Sequence, residues 1–178
     1  MKKEKINDKY NSPLYLVVGR SGSGKNHLLS VFGITSIPSF TTRPMRPGEI
    51  DGVEHQFVDR MVYALAKDTP GAIVTSTEFH GNVYWSSLED VNNTKYQAYI
   101  IDPKGIYNLF KVMNKGTIKR PLVVVAVFAS PFRRLRRMLQ RGDGIIQAIS
   151  RIINDRKEFK DFEEVVKNST IKYKIIYT

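Results

Sequence analysis

An apolar run, Leu14-Tyr15-Leu16-Val17-Val18, opens directly onto Gly19-Arg20-Ser21-Gly22-Ser23-Gly24-Lys25-Asn26, and His27-Leu28-Leu29-Ser30-Val31-Phe32 follows. No other stretch narrows the possible folds as much. Strand, glycine loop and helix in immediate succession are the context of a phosphate-binding P-loop, and the spacing G-x-x-x-x-G-K is complete. Glycines let the backbone curl so that successive N–H groups converge on phosphate oxygens. The helix N-terminus adds a partial positive charge and Lys25 a full one. Asn26 stands where the motif usually ends in Ser or Thr. A Gly/Ser-rich turn that binds nothing is the plainer alternative, but it requires neither the lysine nor both glycines. The expected phosphate contacts are Gly19, Ser21, Gly22, Ser23, Gly24, Lys25, Asn26 and His27.

Composition limits what can meet that loop. The chain has 178 residues, 42% of them hydrophobic, enough for one domain with a sizeable core. It has no cysteine, which excludes disulfides and thiolate chemistry, and its three scattered histidines argue against a His-rich metal site. No apolar run approaches the ~18 residues that span a bilayer. Residues 1–12 are polar and lysine-rich with no apolar h-region, so they read as a flexible tail rather than a secretory signal, and a cytoplasmic location is expected. The net charge of +11 suits nucleic acid, a membrane surface or small polyanions such as nucleotides.

Along the chain, elements alternate between β and α. Leu14 to Val18 reads as a buried parallel strand, and the helix after the P-loop stops at Gly33. A short strand is expected to end near Phe40. Thr41 to Glu54 holds two prolines, two glycines and two arginines, the composition of an ordered loop. His55 to Val58 reads as a strand, with Asp59 capping a helix to about Lys67 that carries Val62, Ala64 and Leu65. Ala72 to Phe79 and Val83 to Trp85 form a hairpin around Gly81-Asn82, and Ser86 or Ser87 caps the next helix. Ala98 to Ile101 is a buried strand, Pro103 opens a helix to about Met113, and Leu122 to Phe128 is the clearest central strand. Pro131 opens a helix through Leu139, Gly142-Asp143-Gly144 breaks it, and Ile145 to about Phe159 is helical with Ile149, Ile152 and Ile153 on one face. Lys172 to Tyr177 is the last strand. The expected architecture is α/β: a P-loop NTPase-type parallel sheet with flanking helices, an inserted small mixed-β subdomain and a short lid. The core is expected over 13–40 and 86–178, the insert over 41–85 and the lid over about 138–150.

Two polyanions brought together need cations at three places. Lys25 suits donor phosphates. Arg43 and Arg46, three apart on a Pro-bounded loop, can grip a second phosphate with their forks. Arg137, Arg141 and Arg151 surround the Gly142–Gly144 break, where a lid could close and exclude water. Arg133, Arg134 and Arg136 are expected on a solvated helix face.

The segment Ser39-Phe40-Thr41-Thr42-Arg43-Pro44-Met45-Arg46-Pro47-Gly48-Glu49-Ile50-Asp51-Gly52-Val53-Glu54-His55-Gln56-Phe57-Val58 resembles the monophosphate-binding segment of the guanylate kinase family. The resemblance continues through Gly81-Asn82-Val83-Tyr84, Ile101-Asp102-Pro103-Lys104-Gly105 and Arg137-Met138-Leu139-Gln140-Arg141-Gly142, over nearly the whole chain past Pro13. It implies ATP-dependent phosphoryl transfer to GMP or dGMP with Mg²⁺, nucleotides as partners, no nucleic-acid or membrane partner, and a monomer or homodimer. Catalytic residues would be Lys25, Arg43, Arg137, Arg141 and Arg151. The monophosphate would meet Ser39, Thr42, Arg43, Arg46, His55, Thr75, Tyr84 and Ile100. Asn26 and Asp102 would be candidates for the metal, with a helix N-cap before Pro103 the equal alternative for Asp102.

The chain also departs from the family pattern. His55 replaces a phosphate-binding Tyr, and the two base-reading carboxylates fall on Thr75 and Ile100. A monophosphate kinase of relaxed or altered base specificity is therefore an alternative, and a non-catalytic interaction module of the same fold a less favoured one. Small size and lysine richness would suit a phage or low-GC bacterial source.

Overall fold

The computed structural model describes residues 12–79, 81–160, 162 and 173–178. The expected tail at 1–12 lies outside them save for Ser12, as does Lys172 of the expected last strand. Two four-stranded sheets organise the chain. The first is wholly parallel, in the order β6 (Ala98–Ile100), β1 (Leu14–Val18), β7 (Leu122–Phe128), β8 (Tyr173–Tyr177). The second is mixed and comes from the insert: β3 (Gln56–Phe57), β2 (Phe40–Thr41), β5 (Asn82–Ser86), β4 (Thr75–Phe79).

Alternation along β1 sends its side chains to two apolar clusters, one on each face of the sheet. Leu14, Leu16 and Val18 pack with Ile106, Leu109, Val124 and Phe159; Val17 packs with Leu29, Val125 and Val127. Helices α1 (Lys25–Val31) and α4 (Pro103–Met113) thereby cover opposite faces. The expected second strand is displaced. Ser36 makes a parallel bridge to Ala98 at the core sheet, and the chain then crosses into the insert to form β2.

Two further expectations are corrected. Asp59 sits at the start of α2 (Arg60–Asp68), but its side chain makes no capping bond, and α2 buries none of its residues. The helix is attached by Tyr63, which packs on Trp85 with ring centroids 5.0 Å apart, and by Arg60, which donates to the Gly81 carbonyl. In α6 (Ile145–Glu158), Ile149 and Ile153 are exposed, and the inward face carries Ala148 and Asp155 instead. Helix α3 (Leu88–Asn92) is capped by Ser87, whose hydroxyl accepts the Asp90 N–H. Helix α5 (Pro131–Gln140) is capped by Ser130, and a turn at 141–144 separates it from α6.

Candidate functional site

The glycine loop leaves β1 and enters α1 through one tight turn, closed by the Ser23 N–H on the Arg20 carbonyl (3.1 Å). Gly19 lies so close to β7 that a Cβ there would stand 2.4 Å from the Val127 carbonyl oxygen. Gly22 has φ 73°, and its Cβ would stand 2.7 Å from the Arg134 carbonyl oxygen. Each position therefore requires glycine, the first for space and the second for backbone angle as well. Lys25 Nζ donates to the carbonyls of Gly19 (2.6 Å) and Arg20 (3.3 Å). Burial pulls its ammonium down to about 8; Asp155 opposes this, while Arg134 and Arg141 add to it. The Ser23 hydroxyl is buried inside the same loop with no hydrogen-bond partner among the described residues, and Asn26 and His27 are exposed on the first turn of α1.

The loop over residues 43–49 is built around Glu49. Its carboxylate holds both Arg43 terminal nitrogens (3.0 and 2.9 Å) and the Arg46 backbone N–H (2.8 Å). Arg43 also stacks over Phe57. Its side chain is 10% exposed against 39% for Arg46, so Arg46 is the more open of the two cations. Burial lowers the Arg46 guanidinium below its ordinary value, and the charges of Arg43, Arg151 and Arg141 lower it further. Ser39 Oγ lies 2.9 Å from His55 Nδ1. Burial and then the Arg43 charge push the His55 imidazole below its usual range, so the ring is neutral near pH 7. The His55 and Tyr84 rings meet edge-on at 5.6 Å. Thr42 is engaged with β5: its hydroxyl accepts the Val83 N–H.

The turn between α5 and α6 is organised by Asp143, which binds Arg141 (2.6 Å) and Arg151 (3.0 Å). Burial alone would raise this carboxyl. The Arg141 hydrogen bond and the charges of Arg141, Arg151 and Arg46 outweigh it and hold the group below the usual carboxylate range. Arg137 stands apart from this pair. Its guanidinium lies on the glycine loop, donating to the Gly22 (3.4 Å) and Ser23 (3.2 Å) carbonyls and to Thr178 Oγ1 (3.0 Å). Beside it, Phe128, Ala129, Ser130, Arg133, Ile175, Tyr177 and Thr178 line an open cavity of about 440 Å³.

Arg134 corrects the sequence reading. It is 1% exposed, ion-paired to Asp155, and donates from Nε to the Ser21 carbonyl at 2.8 Å. Positions 134, 137 and 141 follow the i, i+3, i+7 spacing of one helical stripe, so Arg134 faces the loop with Arg137. Arg133 and Arg136 are exposed as expected. Glu49, Asp143 and Asp155 were also missed as partners. The signal for the first two is local, an acid within six residues of arginines already suspected. For Asp155 the signal is weaker, a lone acid on the inward stripe of α6.

Among the described residues no cluster of three or more His, Asp or Glu could hold a metal. Asp102 Oδ1 accepts the Gly105 N–H (2.9 Å) and Oδ2 the Thr77 hydroxyl (2.6 Å), so the capping alternative is the one with bonds behind it. Among the described residues, the carboxylate hydrogen-bonded to the glycine loop is that of Asp155. Thr75 is buried and donates to the Gly105 carbonyl (3.3 Å), while Ile100 packs with the Val17–Leu29 cluster.

The family model for guanylate kinase matches residues 11–175. The guanylate kinase of Pseudomonas syringae pv. syringae is 29% identical over 174 residues, spanning 87% of this chain and 79% of that protein. That of Nitrosospira multiformis is 30% identical over 157 residues, spanning 82% and 70%. The crystal structure of guanylate kinase from Anaplasma phagocytophilum superposes with a TM-score of 0.60 at 22% identity, covering 96% of this chain and 79% of that one, a likeness of fold. No helix among the described residues is long and apolar enough to cross a membrane.

Proposed function

Because the chain belongs to the guanylate kinase family, we propose that it is an ATP-dependent nucleoside monophosphate kinase moving the γ-phosphoryl group of ATP onto GMP or dGMP. The observation that carries this reading is a pair of cationic loops in one chain: Lys25 on the glycine loop, and Arg46, open beside the Glu49-held Arg43, on a second loop. Separate cation sets for two phosphates are what in-line transfer between two nucleotides needs.

Donor phosphates would sit on the loop N–H groups, with Lys25 moving from the Gly19 carbonyl to the β- and γ-oxygens. The donor base would sit in the cavity beside Thr178. Arg46 and Arg43 would hold the acceptor phosphate, with His55, Ser39 and Tyr84 at its edge. An acceptor phosphate oxygen attacks the γ-phosphorus, the bond to the β,γ-bridging oxygen breaks, and ADP leaves with that electron pair. Arg141 and Arg151, exchanging Asp143 for the transferring group, would stabilise the charge on its equatorial oxygens. Mg²⁺ would neutralise part of the phosphate charge when it arrives with ATP. Among the described residues the protein offers it the Asn26 amide oxygen and no acidic cluster, so phosphates and water would supply further ligands.

Thr75 and Ile100 favour a second reading, looser choice of base. Neither presents a carboxylate, and Thr75 already donates to Gly105. ADP release measured across the ribo- and deoxyribonucleoside monophosphates separates the two. Turnover with GMP and dGMP about 10⁴-fold above the others, the discrimination a hydrogen-bonded base site gives, supports the first; equal turnover supports the second. No turnover with any would overturn both.

A further inference from the structure

Arg134 and Asp155 are the ion pair buried most deeply among the described residues, 1% and 3% exposed. A buried pair of this kind adds little stability over a well-packed apolar pair. What it does here is hold one residue of the glycine loop. Asp155 Oδ2 accepts the Ser21 N–H (2.8 Å), Asp155 Oδ1 accepts its hydroxyl (3.2 Å), and Arg134 Nε donates to its carbonyl (2.8 Å).

With Arg137, this turns three consecutive carbonyls, those of Ser21, Gly22 and Ser23, toward α5. A trans peptide points its N–H opposite to its C=O. The N–H groups of Gly22 and Gly24 therefore point away from α5, to the side where an anion would be cradled. The loop is seated on α5 closely enough that Gly22 admits no side chain.

We propose that Arg134 and Asp155 are positioning residues of the phosphate-donor site. They grip Ser21 from outside, aim the loop N–H groups at the donor phosphates, and tie the loop to both helices that flank the lid turn. The proposal rests on the kinase reading and concerns residues that never touch the nucleotide.

The test compares the wild-type protein with the double variant Arg134→Met/Asp155→Leu and the singles Arg134→Lys and Asp155→Asn. Thermal melting and separate calorimetric titrations with a non-hydrolysable ATP analogue and with GMP are measured for each. The double variant should melt near the wild type, bind the ATP analogue about tenfold more weakly, as expected for loss of charge-assisted anchoring, and bind GMP unchanged. Arg134→Lys, which can still donate to the Ser21 carbonyl, should keep more donor affinity than Asp155→Asn. Should the double variant not fold, Arg134→Lys, which keeps the buried charges paired but loses the forked grip, carries the comparison: weaker binding of the ATP analogue with GMP unchanged. Unchanged donor affinity, or equal loss for donor and acceptor, overturns the proposal while leaving the kinase reading intact. A wild-type protein that binds neither nucleotide overturns the kinase reading and this proposal with it.

Discussion

Lys25 is the residue whose chemistry is most exposed to pH. Burial, the largest influence on it, brings its ammonium down to about 8 in the nucleotide-free protein. The charged form is complete below that value and is lost above it, so kcat/KM for ATP should fall about tenfold per pH unit beyond pH 8, as one essential acid requires. Lys25→Met should lower the same quantity by about 10²- to 10³-fold at pH 7. His55 offers a second readout. Held below its ordinary value by burial and by Arg43, its ring should titrate below 6.5 by NMR in the free protein and move upward when a nucleoside monophosphate binds. No upward shift would remove His55 from the acceptor site. Glu49→Ala should raise KM for the acceptor about tenfold and spare KM for ATP, because the Glu49 carboxylate orients Arg43 with two hydrogen bonds. The cations at these positions were legible in the sequence, because glycine spacing and arginine spacing are local patterns. Their partners were less so. Arg134 looked like one more surface arginine because Asp155, which explains its burial, lies 21 residues away on another helix.

At the level of elements, the boundaries of β1, β7, α4 and α5 follow from apolar runs and from prolines at first helical turns, signals that do not depend on the rest of the fold. Where sequence reading fell short, tertiary contacts decide. α2 has an apolar pattern but rests on the insert through Tyr63 rather than through Val62 or Leu65. Asp102 shows how one residue serves two elements. It caps α4 through Gly105 and ties β4 to the core through Thr77. Asp102→Ala should therefore cost about 1 to 2 kcal/mol in urea denaturation, the range for a lost helix cap. Asp102→Asn, which keeps an acceptor, should cost less. Equal losses for both would argue that charge rather than capping matters there.

Across the whole molecule, the two sheets approach each other through few side-chain hydrogen bonds. Thr75 and Thr77 of β4 reach Gly105 and Asp102 at the start of α4, while the Arg46 charge is a minor influence that helps hold the Asp143 carboxyl below its usual range. Such a junction permits closure about the β4–α4 contact. Solution X-ray scattering should show a smaller radius of gyration with a linked two-nucleotide inhibitor than without it, and an unchanged radius would argue for a pre-closed cleft. The partition into a parallel core and a mixed insert was readable from element order. The crossing of residues 36–41 from one sheet to the other was not, since no local pattern marks a strand that changes sheets. The Arg134–Asp155 pair has a bearing on ancestry. Losing either member alone strands a buried charge, at about 3 to 5 kcal/mol, whereas exchanging both for apolar residues can be nearly neutral. Two viable states of this contact are thus separated by unfit single mutants. A lineage could pass between them only by a coincident double change or after acquiring stability elsewhere, so these two positions should vary together or not at all.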